Sequence, residues 1–188
     1  MGAMGRLPTI TEQQLFQAAE SLLLEAGYAG FHFKALAEKL GVARSTIYNY
    51  YPKKEVLITA FMVHQLNQVV EKMDAAAGEE EPVRALIQLW GRYANMHQML
   101  QVMPYIDQEA SEKVKKNMQK MFQLLQEMRE KIMDVLAREQ KAGRVRSDID
   151  LKTMTGLIMS TVQIPVHHQS EASWSKEVYT LVSDAIRA

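Results

Sequence analysis

The stretch from Phe33 to Leu57 constrains the fold most, because two short amphipathic pieces flank a single glycine within it. The first piece carries apolar residues at helical spacing, namely Phe33, Leu36, Ala37 and Leu40. Gly41 follows them, where a left-handed backbone costs glycine least, and Val42 and Ile47 are the apolar positions of the second piece. The pattern predicts a helix-turn-helix whose second helix has a polar and aromatic outer face.

Positive charge is concentrated in the same stretch. The whole chain has 22 Lys and Arg residues against 22 Asp and Glu residues, which by itself argues against a nucleic-acid partner. Between His32 and Lys54, however, there are five Lys or Arg residues and one acid, Glu38. Because a duplex presents a dense line of phosphates, this local basic patch favours double-stranded DNA as a partner.

Composition predicts an all-α protein. Hydrophobic residues make up 47% of the chain, and its 188 residues include only nine Gly and five Pro. The absence of cysteine excludes disulfides and thiol chemistry and is typical of a cytoplasmic protein. No run of 18 apolar residues occurs, so we expect no membrane span.

The N-terminal third is predicted to form helices separated by glycine and proline residues. Thr9 or Thr11 is expected to cap a first helix that ends at Gly27, and Pro52 to open a long helix that reaches about Ala77. We expect this long helix to bridge the two parts of the molecule. The buried face of the first helix is predicted to contain Leu15, Ala19, Leu22, Leu23 and Ala26.

The remaining chain predicts four further helical segments. Pro82 opens the first, and Pro104 is expected to break the chain before a strongly periodic helix over 109–140. Asp148 or Asp150 is predicted to cap the next helix, and Ser173 the last. Because the last two helices carry larger apolar faces than a monomer needs, we expect a homodimer closed by a four-helix interface. The alternative is that these faces cover only their own core.

The N-terminal part resembles the TetR family of bacterial transcriptional repressors over about residues 10–60. The matching positions are Gly27-Tyr28, Leu36-Ala37, Gly41-Val42, Thr46-Ile47-Tyr48, Tyr50-Tyr51, Lys54-Glu55 and Leu57. The resemblance implies a three-helix DNA-binding domain over 6–53 and a larger effector-binding and dimerisation domain over 54–188. Two positions depart from the family pattern, because His32 and Ala43 stand where hydroxyl residues often cap the second and third helices. We therefore expect those two helix starts to lack their usual caps.

Residues of the basic stretch are candidates for DNA contact. Arg44 is suited to bidentate hydrogen bonding with guanine, and Thr46 to contact with thymine or phosphate. The phenols and Lys54 are suited to phosphates. The alternative for any one of them is a solvated helix face. The full predicted set is Lys34, Arg44, Ser45, Thr46, Tyr48, Asn49, Tyr50 and Lys54.

A second set of residues is predicted to line an effector pocket in the larger domain. Thioethers and aromatic rings make adaptable apolar walls, so the expected effector is a small, mainly apolar or aromatic molecule. Ordinary core packing is the alternative for each residue. The predicted set is Trp90, Tyr93, Met96, His97, Met99, Met103, Met118, Met121 and Phe122.

Catalytic and metal-binding patterns are missing from the sequence. No Ser-His-Asp arrangement, phosphate-cradling glycine loop or HExxH occurs, and the adjacent His167 and His168 have no further ligand at metal spacing. We expect neither enzyme activity, nor a cofactor, nor a metal. The sequence therefore predicts a ligand-responsive repressor that binds a pseudo-palindromic operator as a homodimer. A ligand-independent DNA-binding regulator is one alternative, and a helical carrier or enzyme that retains the fold is another.

Overall fold

The regular structure of the chain is helical in the computed structural model, which describes residues 10–93, 102–166 and 170–188. The all-α prediction is therefore confirmed. No helix in these ranges is long and apolar enough to cross a membrane. The helices are α1 (Glu12–Gly30), α2 (Phe33–Leu40), α3 (Arg44–Tyr50), α4 (Lys54–Ala77), α5 (Pro82–Arg92), α6 (Glu112–Lys141), α7 (Leu151–Ser160) and α8 (Glu171–Ile186).

The chain divides into two compact units that do not follow the sequence order. The N-terminal unit holds the described residues of 1–63 and 101–118, and the C-terminal unit those of 64–100 and 119–188. Helices α4 and α6 each contribute residues to both units. The predicted domains, 6–53 and 54–188, place 102–118 with the larger domain, whereas compactness groups this segment with the N-terminal unit.

Helix α1 begins with a capping box. Thr11 Oγ1 accepts the Gln14 N–H at 3.1 Å, and Gln14 Oε1 accepts the Thr11 N–H at 2.9 Å. Gly27 takes a left-handed φ of 61° and kinks the helix where it was predicted to end, but the helix continues to Gly30. Ala26 is exposed, so its assignment to the buried face was wrong. The other four predicted positions of that face are buried.

The C-terminal unit is built on a close approach of α5 to α8. A Cβ atom added to Gly91 would lie 2.4 Å from Ser175 Oγ and 3.3 Å from the Trp174 ring, so only glycine lets the two helices approach this closely. Trp90 Nε1 donates to the Ile158 carbonyl at 3.2 Å, near the end of α7. This hydrogen bond satisfies the indole N–H of a side chain that is almost fully buried.

The predicted helix ends differ from the observed ones at two places. Ser170, not Ser173, caps α8, because Ser170 Oγ accepts the Ser173 N–H at 3.2 Å. Pro52 precedes α4 rather than opening it. The predicted cap at Asp150 is confirmed by its hydrogen bond from the Lys152 N–H at 2.8 Å. The predicted break at Pro104 is a short 3₁₀ turn over Met103–Tyr105.

Candidate functional site

The turn between α2 and α3 sets the direction of the candidate recognition helix α3. Gly41 has φ 66° and ψ 32°, and its N–H donates to the Glu38 carbonyl at 3.2 Å. The next N–H, from Val42, donates to the Ala37 carbonyl at 3.0 Å, which completes the end of α2. A side chain at position 41 would be strained by this φ value, so the glycine is required by the turn itself.

The starts of α2 and α3 are capped unequally. His32 Nδ1 accepts the Ala35 N–H at 3.1 Å, so the imidazole replaces the hydroxyl that α2 was expected to lack. Ala43 precedes α3 in an extended conformation and makes no side-chain hydrogen bond, as expected for an alanine at that position. Helix α3 therefore begins without a side-chain cap at the end that was predicted to contact bases.

Helix α3 has one buried face and one exposed face. Ile47 is fully buried and holds the helix against the rest of the N-terminal unit. Arg44, Ser45 and Asn49 are exposed on the other side, while Thr46 is half-buried. The predicted base-contacting side chains Arg44 and Ser45 are thus accessible at the first turn of the helix.

Arg44 and Tyr48 form a pair on this exposed face. Arg44 Nη2 donates to the Tyr48 hydroxyl at 2.8 Å, and the guanidinium carbon lies 5.3 Å from the centre of the Tyr48 ring. The Tyr48 ring packs edge-on against Phe33, with centroids 5.0 Å apart and planes at 72°. Because Phe33 is buried, this contact fixes the ring that in turn orients the guanidinium.

Tyr50 and Tyr51 form hydrogen bonds with residues at and just before the start of α1. The Tyr50 hydroxyl donates to the Ile10 carbonyl, and the Tyr51 hydroxyl donates to a carboxylate oxygen of Glu12. Burial, followed by this Glu12 contact, raises the pKa of Tyr51. Tyr50 was predicted to contact DNA, but the observed hydrogen bond uses its hydroxyl proton within the unit.

The cations of the basic stretch have different surroundings. Lys34 lies 4.0 Å from Glu38, and Lys39 lies 2.8 Å from Glu25. The hydrogen bond from Lys39 lowers the pKa of Glu25. Lys54, predicted to grip phosphate, is half-buried with its ammonium 3.9 Å from the centre of the Tyr28 ring.

Tyr28 also stacks on an aromatic ring from the distant segment 102–118. The centroids of Tyr28 and Tyr105 are 5.9 Å apart and the ring planes differ by 17°. The Tyr28 hydroxyl donates to Glu55 Oε1 at 3.1 Å. Burial, Glu55 and then Asp107 raise the pKa of Tyr28 to about 12. Sequence reasoning missed this contact, because 77 positions separate the two tyrosines and no periodic pattern links them.

A small apolar cavity lies in the C-terminal unit. Its volume is about 40 Å³, and no polar atom lines it. Two of its walls, Trp90 and Tyr93, belong to the predicted effector set. The remaining walls were not singled out, because apolar residues at helical spacing are indistinguishable from core in a sequence. They are Leu66, Val69, Leu125, Met128, Met159 and Val162.

The other predicted effector residues are dispersed. Met121 is buried and Phe122 is 64% exposed, and neither lines this cavity. Met103 and Met118 belong to the N-terminal unit. The remaining predictions, Met96, His97 and Met99, lie outside the described residues, as do His167 and His168.

A polar network adjoins the Tyr93 wall of the cavity. Lys72 Nζ donates to the Tyr93 hydroxyl at 2.7 Å, and that hydroxyl donates to Gln68 Oε1 at 3.4 Å. Gln68 Nε2 lies 2.8 Å from His64 Nε2. A molecule that entered the apolar cavity past Tyr93 would therefore meet amide, phenol and ammonium groups at its polar end.

Helices α7 and α8 leave apolar side chains uncovered in the single chain. Leu157 is 40% exposed and Leu181 is 68% exposed, whereas Val178 and Val182 on α8 are buried. Helix α8 therefore has an inner face against α5 and an apolar outer position that this chain does not cover. Among the described residues, no group of three His, Cys, Asp or Glu is arranged to hold a metal ion.

Comparison with protein families places both parts of the chain in one class of regulator. Residues 15–61 match the family described as bacterial regulatory proteins, tetR family. Residues 81–188 match the family described as transcriptional regulator SbtR-like, C-terminal domain. The first match covers the candidate recognition helix, and the second covers six of the eight residues that line the apolar cavity.

Individual relatives are distant in sequence and similar in fold. The chain is 21% identical over 154 residues to the fatty acid metabolism regulator protein of Bacillus subtilis (strain 168), covering 79% of this chain and 78% of that protein. The TetR family regulator PfmR from Thermus thermophilus has a TM-score of 0.76 at 19% identity, covering 90% of this chain and 97% of its own. FadR from Bacillus subtilis in complex with stearoyl-CoA has a TM-score of 0.68 at 21% identity, covering 94% and 100%.

The missing cap at Ala43 predicts a gain of stability on substitution. Ala43→Ser should raise the free energy of unfolding by about 0.5–1 kcal/mol, because the new hydroxyl can accept an N–H from the first turn of α3. Urea unfolding followed by circular dichroism measures the change.

The His32 cap supplies the matched control. His32→Ala should cost about 1 kcal/mol of unfolding free energy, and His32→Ser should restore most of it. Equal stabilities for His32→Ala and the wild type would contradict the imidazole cap.

Proposed function

We propose that this chain, which belongs to the TetR family of bacterial transcriptional regulators, is a cytoplasmic repressor that binds a pseudo-palindromic DNA operator as a homodimer and leaves it when a small, mainly apolar effector binds. The observation that carries the proposal is the outer face of α3. A fully buried Ile47 anchors the helix, and Arg44, Ser45 and Asn49 remain accessible on the opposite side. Two such helices, one from each protomer, would enter successive major grooves.

The contacts of the α3 side chains suggest which of them contact bases and which contact phosphates. Arg44 has guanidinium N–H groups left over after its hydrogen bond to Tyr48, and a forked donor suits guanine O6 and N7. Tyr48 accepts that hydrogen bond, so its own hydroxyl proton is available to a phosphate oxygen. Base reading is thus proposed for Arg44 and Thr46, and backbone contact for Tyr48.

Homodimer formation is proposed through α7 and α8. Leu157 and Leu181 leave apolar surface exposed on two neighbouring helices, and the same surface on a second copy would cover it around a two-fold axis. Isologous pairing also gives the symmetry that a pseudo-palindromic operator requires.

The effector is proposed to enter the apolar cavity of the C-terminal unit. A wall without polar atoms favours a hydrocarbon portion, and the network of Lys72, Tyr93 and Gln68 favours a polar or anionic end. FadR from Bacillus subtilis, similar in fold, was solved with stearoyl-CoA. A long-chain acyl thioester is therefore the first probe to use.

A ligand-independent regulator is the second candidate, and the size of the cavity favours it. Pockets for drug-sized ligands measure roughly 300–1,000 Å³, whereas this cavity is about 40 Å³. An acyl chain fits only if side chains such as Met128 and Met159 change rotamer, which flexible thioethers allow at low cost. The two candidates thus differ in whether the cavity opens.

DNA binding is tested first by Arg44. We expect duplexes selected from a random library by the wild type to contain two related half-sites, and Arg44→Ala to lose about 1–3 kcal/mol of discrimination at one base pair in each. Fluorescence anisotropy at fixed salt measures the affinities of the wild type and of Arg44→Ala for the selected duplex and for one with that base pair changed.

Arg129→Ala, which removes the same charge from an exposed position on α6, is the matched control and should bind like the wild type. A wild-type chain that enriches no sequence would overturn the proposed function.

Dimer formation is tested by introducing a charged side chain on the exposed face of α8. Leu181→Asp should yield monomers at micromolar concentration, because two carboxylates would face one another in an apolar interface. Sedimentation velocity measures the shift. Since Leu181 is 68% exposed in the single chain, circular dichroism should show the same helix content as the wild type. A variant that remains dimeric would place the interface elsewhere, and removal of α8 is no substitute because its inner face is core.

The effector is tested with stearoyl-CoA against coenzyme A alone. We expect stearoyl-CoA to weaken binding to the selected duplex at least about fivefold, a typical lower value for allosteric coupling. Val69→Phe, which fills the cavity, should bind the duplex normally and lose this response. Wild-type affinity that is unaffected by saturating acyl-CoA esters of several chain lengths would favour the ligand-independent regulator.

A further inference from the structure

The start of α4 carries two adjacent lysines at the end of a helix where positive charge is unfavourable. The unpaired N–H groups of a helix N-terminus amount to a partial positive charge, so Lys53 and Lys54 weaken the start of this 24-residue helix. Glu55 offsets part of that cost in the same turn. In the structure each of the two ammonium groups has an interaction partner, and the partner of Lys53 differs from that of Lys54.

Both partners depend on the segment 102–118. Lys53 Nζ donates to the Ala110 carbonyl at 2.9 Å, across 57 positions of sequence. The Lys54 ammonium lies over the Tyr28 ring at 3.9 Å, and that ring stacks on Tyr105. Ala110 and Tyr105 lie in one short segment, far from the lysines in sequence but within the same compact unit.

The segment is fixed to the unit at two further points. Asn117 Nδ2 donates to Thr59 Oγ1 at 2.9 Å, so the first turns of α6 are joined to α4. Val102 and Ile106 are buried on either side of the short 3₁₀ turn. Tyr105 itself is 68% exposed, so its stacking on Tyr28 contributes little to the core. An exposed ring that stacks on the partner of Lys54, in the same segment as the carbonyl that holds Lys53, is suited to positioning these cations.

We infer that Tyr105 and the Ala110 carbonyl position Lys53 and Lys54 for the phosphates of the operator, so that the segment 102–118 sets the strength of backbone contact independently of base reading by α3. This inference rests on the proposed function as a DNA-binding regulator. Besides the hydrogen bond to Glu55, the Tyr105 stack holds the Tyr28 ring in place. Loss of the stack lets the ring move under the Lys54 ammonium, without altering the contacts of Arg44 or Ile47.

The test is Tyr105→Ala, measured on the duplex that the wild type selects. At 0.1 M salt we expect affinity to fall about fivefold to thirtyfold, the size of the Lys54–Tyr28 cation–π contact in each of two subunits. The slope of log affinity against log salt should become shallower by about one for each lysine released. Discrimination between the selected duplex and one with a changed half-site base should stay the same, because phosphate contacts carry no sequence information.

Two further variants separate positioning from general damage. Tyr105→Phe keeps the stacking ring and should restore both affinity and slope. Lys54→Gln should reproduce the effect of Tyr105→Ala, and the double variant should be little worse than either single one, because both act through the Lys54 ammonium over the Tyr28 ring.

Three outcomes would overturn the inference. They are an unchanged salt slope in Tyr105→Ala, a loss of base discrimination alongside affinity, and additive effects in the double variant. In each case the wild type would still select a duplex, so the proposed function would stand. If the wild type selects no duplex, the proposed function fails and this inference fails with it.

Discussion

Burial of Ile47 is the interaction on which the DNA-binding surface depends. Helix α3 has only seven residues, too few to be stable alone, so its position comes entirely from the side chain that it buries. Gly41 makes that burial possible, because its left-handed φ of 66° turns the chain sharply enough to bring α3 back across α2. Everything exposed on the other face, including the Arg44–Tyr48 pair, is oriented as a consequence.

The same anchoring explains why a weak start to α3 is tolerated. Ala43 supplies no cap, and a missing cap costs about 1 kcal/mol. Full burial of an isoleucine side chain contributes about 1.5–3 kcal/mol, which exceeds that loss. The absent hydroxyl at Ala43 is therefore compatible with a well-positioned α3, because tertiary packing rather than local capping determines where the helix lies.

Local chemistry explains which parts of the structure could be predicted from the sequence. Gly41, Pro104 and Asp150 each act on the backbone within a few residues, and their predicted effects are observed, while Gly27 kinks α1 without ending it. Errors also stayed local, as at Ser173, where a second serine three positions earlier provides the better cap. His32 shows the limit of residue-type rules, because an imidazole nitrogen accepts the hydrogen bond that hydroxyls usually accept.

Long-range pairing could not be predicted, because no periodicity relates the residues involved. Tyr28 meets Tyr105 and Lys53 meets Ala110 only after the chain has passed through α4 and α5. The residues that line the cavity could not be predicted either. Leu66 and Val69 follow the same helical spacing as core residues that do not border a cavity. Sequence patterns identified the family and the helix-turn-helix, while the contacts of the lysines and the shape of the cavity required the tertiary structure.

Separation of base reading from phosphate contact has an energetic consequence for regulation. An effector can shift DNA affinity only by the free energy with which it distinguishes two states, commonly about 1–3 kcal/mol. At roughly 0.15 M salt, release of the counterion displaced by one phosphate contact is worth about 1 kcal/mol. In the proposed homodimer, the four lysines at positions 53 and 54 would therefore cover that whole range without any change at Arg44. Regulation through phosphate contacts would lower affinity for the operator and for other DNA alike, so a regulator released in this way would also leave non-specific DNA more readily.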